Sequence, residues 1–149
     1  IPISALERDG IDRVIKTIDS LMKEGPQYFP DDIVTDKPER FMVAEIIREK
    51  ILTLTHDEVP HGIGVEVISF KLRPDNKLVD IEVNIYCEKY SHKGILIGKQ
   101  GSMLKRIGIY SREEIENLLG IKVNLQLWIK VKEDWRNKQG MLNTLGYNN

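Results

Sequence analysis

The stretch from His92 to Gly108, HKGILIGKQGSMLKRIG, constrains the fold more than any other part of the sequence. Apolar residues follow helical spacing up to Gly98, two polar residues lead to Gly101, and a new helical pattern begins at Ser102. Glycine ends helices readily because it adopts left-handed backbone angles without a steric penalty. The stretch therefore predicts two helices joined by a tight G-x-x-G turn.

The segments on either side predict one more long helix and three strands. Residues 39–55 place their apolar side chains on one helical stripe. Residues 78–88 and 121–132 each alternate apolar and polar side chains, which is typical of strands with one buried face. In residues 63–72, both odd-numbered and even-numbered positions carry apolar side chains, so the pattern does not show which side of this strand faces the core. Three strands with helices packed on one face make an α+β fold.

The first part of the chain has a different character. Residues 1–6, IPISAL, suit a buried strand, and residues 9–26 predict an amphipathic helix that Gly25 and Pro26 end. Together they predict the last strand–helix unit of an α/β domain whose remainder is missing here. The chain starts with Ile1 rather than Met, which favours a fragment. Residues 28–38, which lack periodicity, are expected to form a linker.

Charge is distributed unevenly along the chain. The net charge is −1, but residues 1–60 carry 8 Lys and Arg against 13 Asp and Glu, whereas residues 61–149 carry 14 against 10. Residues 89–112 contain six basic side chains and no acidic one. This asymmetry favours an anionic partner for the second part. No run approaches the roughly 20 apolar residues of a membrane helix, and the single cysteine excludes a disulfide framework.

Trp128 and Cys87 could each have either a structural or a functional role. Trp128 lies on the polar face of the last strand, where it could stack on a nucleobase, but packing under residues 134–147 is the favoured interpretation. Cys87 falls on the buried face of its strand and is expected to act as a small apolar side chain.

No catalytic or metal-binding cluster is expected. His56, Asp57, Glu58 and His61 lie close together, but their spacing fits no helical metal motif and Pro60 interrupts it. The sequence shows no Ser-His-Asp or Cys-His arrangement. Metal and catalytic residues are therefore both predicted to be absent.

The G-x-x-G turn itself supports two interpretations. It can be a plain helix–turn–helix connection in which the glycines serve only the backbone. Alternatively, the glycines let a phosphate–sugar backbone approach, the helix starting at Ser102 directs its positive end there, and Lys93, Lys99 and Lys105 surround the site. The lysines favour the second interpretation.

The residues of this stretch resemble a known family. ILIGKQGSMLKRI is similar to the I-G-x-x-G-x-x-[IL]-[KR]-x-I core of KH domains, whose G-x-x-G loop clamps about four nucleotides of backbone. The predicted order of helix, two strands, two helices and strand resembles the type II arrangement. The resemblance implies a KH domain over residues 39–149.

Further blocks narrow the resemblance to one family of proteins. RFMVAEIIREKI, LKRIGIYSREEIENLLG and VNLQLWIKVKEDWRNK resemble, in order and spacing, the C-terminal part of Era-like bacterial GTPases of small ribosomal subunit assembly. ISALERDGIDRVIKTI resembles the last motif of their GTPase domain, which makes residues 1–27 a remnant with Ser4 and Ala5 as its guanine-contacting loop. The sequence departs from the family because it contains neither the phosphate-binding loop G-x-x-x-x-G-K-[ST] nor the base-recognition motif N-K-x-D.

The resemblance implies binding of single-stranded RNA at the 3′ end of small-subunit ribosomal RNA. The implied RNA-binding residues are Lys93, Ile97, Gly98, Lys99, Gln100, Gly101, Ser102 and Lys105. It also implies GTP and magnesium as cofactors of the full-length protein, with no cofactor and no GTP hydrolysis expected of this chain alone. The implied location is the cytoplasm, with peripheral association at the inner face of the cell membrane also compatible. A KH-fold protein-interaction module without RNA binding is the alternative.

Overall fold

The computed structural model describes residues 1–23, 25, 39–55, 62–75 and 77–145. The chain divides into two compact units, Ile1–Asp36 and Lys37–Asn149. The predicted linker, residues 28–38, and the cluster formed by His56, Asp57, Glu58 and His61 lie outside the described residues.

The first unit is built on helix α1, Ile11–Leu21, as the periodicity predicts. The predicted strand at residues 1–6 is not formed. Instead, Ser4 and Asp9 make an isolated antiparallel bridge around a turn, with the Ser4 N–H donating to the Asp9 carbonyl at 3.1 Å. A strand needs a hydrogen-bonded neighbour along its length, and the described part of this unit supplies only that one bridge. None of the residues of α1 is buried.

The second unit contains further helices and strands in the predicted order. They are α2 (Glu39–Leu54), β1 (Gly64–Leu72), β2 (Leu78–Cys87), α3 (Tyr90–Ile97), a 3₁₀ turn (Lys99–Gly101), α4 (Ser102–Leu119), β3 (Lys122–Val131) and α5 (Gln139–Thr144). A further 3₁₀ turn, Trp135–Asn137, lies between β3 and α5. Gly120 ends α4 in a left-handed conformation, with φ 68° and ψ 11°.

The three strands form one sheet in the order β1-β2-β3. β1 pairs antiparallel with β2, and β2 pairs parallel with β3. α2 packs against β1 and α4, while α3 and α4 pack against β3. The inward residues of β2 are fully buried between the sheet and these helices, together with Ile47 and Ile51 of α2. The predicted α+β fold is confirmed.

An irregularity in β1 explains why its sequence is apolar on both parities. The register with β2 shifts between Val67 and Ser69. Val65 and Val67 face the core before the shift, and Phe70 packs against the core after it, so the inward parity changes from odd to even. A β-bulge inserts one unpaired residue and so switches the facing of the strand. The extra residue is Ile68, which is 45% exposed.

The C-terminal segment builds a second, smaller cluster on the other face of the sheet. Trp135, Met141 and Leu145 pack with Tyr86, and a Cβ on Gly64 would lie only 2.8 Å from Leu145 Cδ1. The Trp135 indole N–H donates to the Gly62 carbonyl at 3.1 Å. Aromatic burial on this face therefore fixes the end of the chain against β1 and β2.

The favoured interpretation of Trp128 is wrong. The C-terminal segment covers Tyr86 and leaves Trp128 52% exposed. Tyr86 lies on the central strand and Trp128 on the edge strand, and both side chains are on the same face of the sheet. The C-terminal segment packs against Tyr86 but does not reach across to cover Trp128. In contrast, the interpretation of Cys87 agrees with the structure, because its side chain is fully buried and burial raises the pKa of its thiol.

Candidate nucleic-acid interface

The turn between α3 and α4 depends on three unusual backbone conformations within four residues. Gly98 has φ 71° and ψ 176°, Gln100 has φ 53° and ψ 30°, and Gly101 has φ 78° and ψ 10°. The Gly98 N–H donates to the Gly94 carbonyl at 2.9 Å, and the Gly101 N–H donates to the Gly98 carbonyl at 3.2 Å. These bonds end one helix and hold the tight turn from which the next helix starts.

Gly98 is required by the fold itself. Its combination of angles is essentially restricted to glycine. A Cβ at this position would lie 2.7 Å from Met103 Cβ and 2.8 Å from the Met103 backbone nitrogen. The first turn of α4 therefore packs directly on the Gly98 backbone.

Gly101 has no comparable packing requirement. Its positive φ favours glycine, but a Cβ added there would meet no described atom within 4 Å. The space beside its backbone is open to solvent. An extended phosphate–sugar backbone can therefore approach the chain at this residue.

The amino-terminal end of α4 lacks a local counter-charge in the part of the chain that the structure describes. Among the described residues, no side chain caps the helix, and its first turn contains no Asp or Glu. The aligned peptide dipoles of an 18-residue helix place partial positive charge at this end. The combination is suited to binding an anion.

The predicted binding side chains lie at different depths. Lys99, Gln100, Ser102 and Lys105 are exposed. Ile97 is half-buried at the end of α3, beside the turn. The exposed polar side chains therefore lie together at the turn, and the half-buried Ile97 lies beside them.

Lys93 stands apart from that group. It is half-buried on the first half of α3, and its ammonium acts on the Cys87 thiol at the end of β2, although the effect of burial on the thiol pKa is larger. Among the described residues, Lys93, Lys99 and Lys105 form no salt bridge, in contrast to Lys50, which pairs with Glu114. Their charges remain available to an outside anion.

Comparison with known proteins identifies the fold around this turn. The family model described as KH domain matches residues 58–136, which include β1, β2, both helices of the turn and β3. This chain belongs to the KH domain family. The matched residues include the Gly98–Gly101 turn and the parallel pair formed by β2 and β3.

Curated relatives carry the name GTPase Era. The chain is 60% identical over 147 residues to that of Ruminiclostridium cellulolyticum and 54% identical over 148 residues to that of Clostridioides difficile, in each case over 99% of this chain and about half of the relative. The chain thus spans about half the length of the curated relatives it matches. The KH domain and these matches fit the C-terminal part of GTPase Era.

Two solved structures of Era are also similar to this chain. Era from Aquifex aeolicus, a point variant bound to GDP and AlF4⁻, superposes with a TM-score of 0.91 at 40% identity, covering 100% of this chain and 50% of that one. Era in complex with MgGDPNP and nucleotides 1506–1542 of 16S ribosomal RNA superposes with a TM-score of 0.91 at 41% identity, with the same coverage.

The predicted guanine-loop residues lie outside the KH domain. Ser4 and Ala5 belong to the first unit, where the Glu7 N–H donates to Ser4 Oγ at 3.3 Å and Ala5 is exposed. The structure thus keeps them in a turn that precedes α1.

Sequence reasoning missed the conformation of Gln100. A left-handed backbone is uncommon for a residue with a Cβ, and nothing in the composition of the turn indicated it. The conformation was recognisable only from the tightness of a four-residue connection between two helices.

Proposed function

We propose that this KH domain binds single-stranded RNA through the Gly98–Gly101 turn. The observation that carries the proposal is the open backbone at Gly101 beside the uncapped start of α4, in a stretch without acidic residues. Phosphates would meet the positive end of the helix, and the exposed Lys99 and Lys105 would add charge.

The remaining predicted residues have supporting roles. Gly98 would keep α4 close to α3, because its backbone packs directly against Met103. Gln100 and Ser102 offer polar groups to phosphate and sugar oxygens. Ile97 would provide the apolar wall that a base contacts, and Lys93 would contribute longer-range attraction.

The proposed ligand is the 3′ end of small-subunit ribosomal RNA. A structural neighbour at 41% identity was solved with nucleotides 1506–1542 of 16S ribosomal RNA. Shared fold and sequence at this level support the same class of ligand for the chain. The proposed setting is assembly of the small ribosomal subunit in the cytoplasm.

The activity of the whole protein is a further part of the proposal. The curated relatives are named as GTPases, and a structural neighbour holds MgGDPNP. The protein that contains this KH domain would accordingly bind GTP with magnesium and hydrolyse it, using residues outside the sequence described here. Ser4 and Ala5 would then contribute to its guanine-contacting loop.

Membrane association has less support. None of the helices in the described ranges is long and apolar enough to cross a bilayer. Peripheral association at the inner face of the cell membrane is implied by the family resemblance alone.

The test is fluorescence anisotropy with a labelled single-stranded RNA that ends in a small-subunit 3′ sequence. The double variant Lys99→Asp/Gln100→Asp should weaken binding by at least about tenfold, because it places two carboxylates where phosphates dock. Wild-type affinity should also fall as salt is raised.

The chain offers a matched control for this variant. Lys138 and Gln139 also precede a glycine, are exposed, and lie at the start of α5. Lys138→Asp/Gln139→Asp makes the same chemical change outside the proposed site and should bind as wild type does. Equal affinity of both double variants would refute the loop as a phosphate clamp and favour a KH-fold protein-interaction module.

A further inference from the structure

Trp128 is an exposed aromatic side chain that the G-x-x-G turn does not explain. It lies on the edge strand β3 and is 52% exposed. In register it lies opposite Asn84 of β2, whose amide donates to the Tyr86 hydroxyl at 3.2 Å on the face of the sheet away from α3 and α4. The indole therefore projects from the outer face of the sheet.

The strand around Trp128 is basic. β3 contains no Asp or Glu, and the lysines at its two ends share the outer face with Trp128. Lys122 pairs with Glu116 at 2.9 Å. Lys130, two residues after Trp128, is exposed and forms no salt bridge within the described ranges. A positive charge thus lies one outward position from the indole.

The acidic residues of β2 on this face indicate which way an anionic strand would run from Trp128. Asp80 is held by Arg73 at 2.7 Å and by the Asn124 amide at 2.7 Å, so its charge is compensated. Glu82 is exposed and lies opposite Gln126. Glu66 of β1 also lies on this face, but it is one strand further from Trp128 and accepts hydrogen bonds from the Tyr86 hydroxyl at 2.6 Å and the Asn84 amide at 3.5 Å. An anionic chain would therefore leave Trp128 toward Lys130 and away from Glu82.

The surroundings of Trp128 favour a nucleic acid over a protein partner. The outward residues next to it, Gln126, Lys130 and Asn84, are polar or charged. A protein interface would need a larger apolar patch. A nucleobase needs only one aromatic plane with a cation near its phosphate.

We propose that Trp128 is a second RNA contact, on which one base of a single strand stacks while Lys130 neutralises the adjoining phosphate. The proposal rests on the proposed function, because it concerns RNA that extends beyond the nucleotides held at the G-x-x-G turn. A KH loop clamps about four nucleotides, so only a longer strand can also reach this face.

The experiment compares a four-nucleotide with a twelve-nucleotide single-stranded RNA of the same 3′ sequence. Trp128→Ala should weaken binding of the longer RNA about fivefold to 100-fold and change binding of the shorter one less than about twofold. Trp128→Phe should restore most of the loss, because phenylalanine keeps a stacking plane. Leu72→Ala removes an equally exposed apolar side chain, 51% exposed, from β1 at the other edge and should have no effect.

Fluorine NMR gives a direct readout of stacking. The chain contains two tryptophans, so 5-fluorotryptophan labelling yields two signals that Trp128→Phe assigns. The longer RNA should shift the Trp128 signal and leave that of Trp135, which is 3% exposed, in place. The shorter RNA should shift neither signal.

The outcomes separate the two proposals. Binding at least about tenfold weaker in the Lys99→Asp/Gln100→Asp variant, with unchanged binding of the longer RNA by Trp128→Ala, would retain the loop function and overturn the stacking proposal. Binding of neither RNA by the wild-type chain would overturn both.

Discussion

Replacing the two glycines of the turn should have unequal effects on stability. Alanine at position 98 must adopt φ 71° and ψ 176°, a conformation that costs about 1–3 kcal/mol for a residue with a Cβ. Its Cβ would also lie 2.8 Å from the Met103 nitrogen, and relieving such overpacking costs about 1–3 kcal/mol more. Gly98→Ala should therefore lower the free energy of unfolding by about 2–6 kcal/mol.

Gly101→Ala provides the comparison. Its left-handed angles cost about 1–2 kcal/mol for alanine, and the Cβ would enter open space. Gly101→Asn should cost less still, because asparagine tolerates this conformation. Urea unfolding followed by circular dichroism measures all three variants. Equal losses for Gly98→Ala and Gly101→Ala would refute the inference that α4 packs on the Gly98 backbone.

Three further outcomes follow from burial and charge. Trp135→Ala should lower the free energy of unfolding by about 3–5 kcal/mol because the ring is buried, whereas Trp128→Ala should lower it by less than about 0.5 kcal/mol. Equal urea midpoints for the two variants would contradict this difference in burial. The Arg73 guanidinium lowers the pKa of the Asp80 carboxyl, so this pair stabilises the folded state above the unfolded pKa of about 3.9 and less so as pH falls below it. The urea midpoint of the wild type should thus fall further than that of Asp80→Asn between about pH 5 and pH 3, and parallel curves would contradict the coupling. Burial raises the pKa of the Cys87 thiol, so a thiol reagent should modify it only after unfolding, and rapid labelling of the native chain would contradict its burial.

The sequence predicted the parts of the fold that depend on local periodicity. The alternation from Val79 to Cys87 and the stripe on α2 identified the buried faces, because each pattern has one period and one environment. β1 was ambiguous because the bulge at Ile68 changes its parity, and a bulge has no signature in a single sequence.

Long-range packing was the part that local patterns did not determine. Trp128 and Tyr86 both fall on polar faces of alternating strands, and only the path of the C-terminal segment decides which of them is covered. Similarly, residues 1–6 have strand-like composition, but strand formation depends on a neighbour that local sequence does not specify. The G-x-x-G turn was predictable because two glycines and a helix restart lie within a few residues.

The most direct test of the central claim is amide NMR mapping of the chain titrated with the single-stranded 3′ RNA. The largest shifts are expected at the amides of residues 98–105, whereas the amides of Gly120 and Gly140 should not shift. Shifts of similar size across the whole surface, or none at residues 98–105 while RNA binds elsewhere, would contradict the assignment of the turn as the RNA-binding loop.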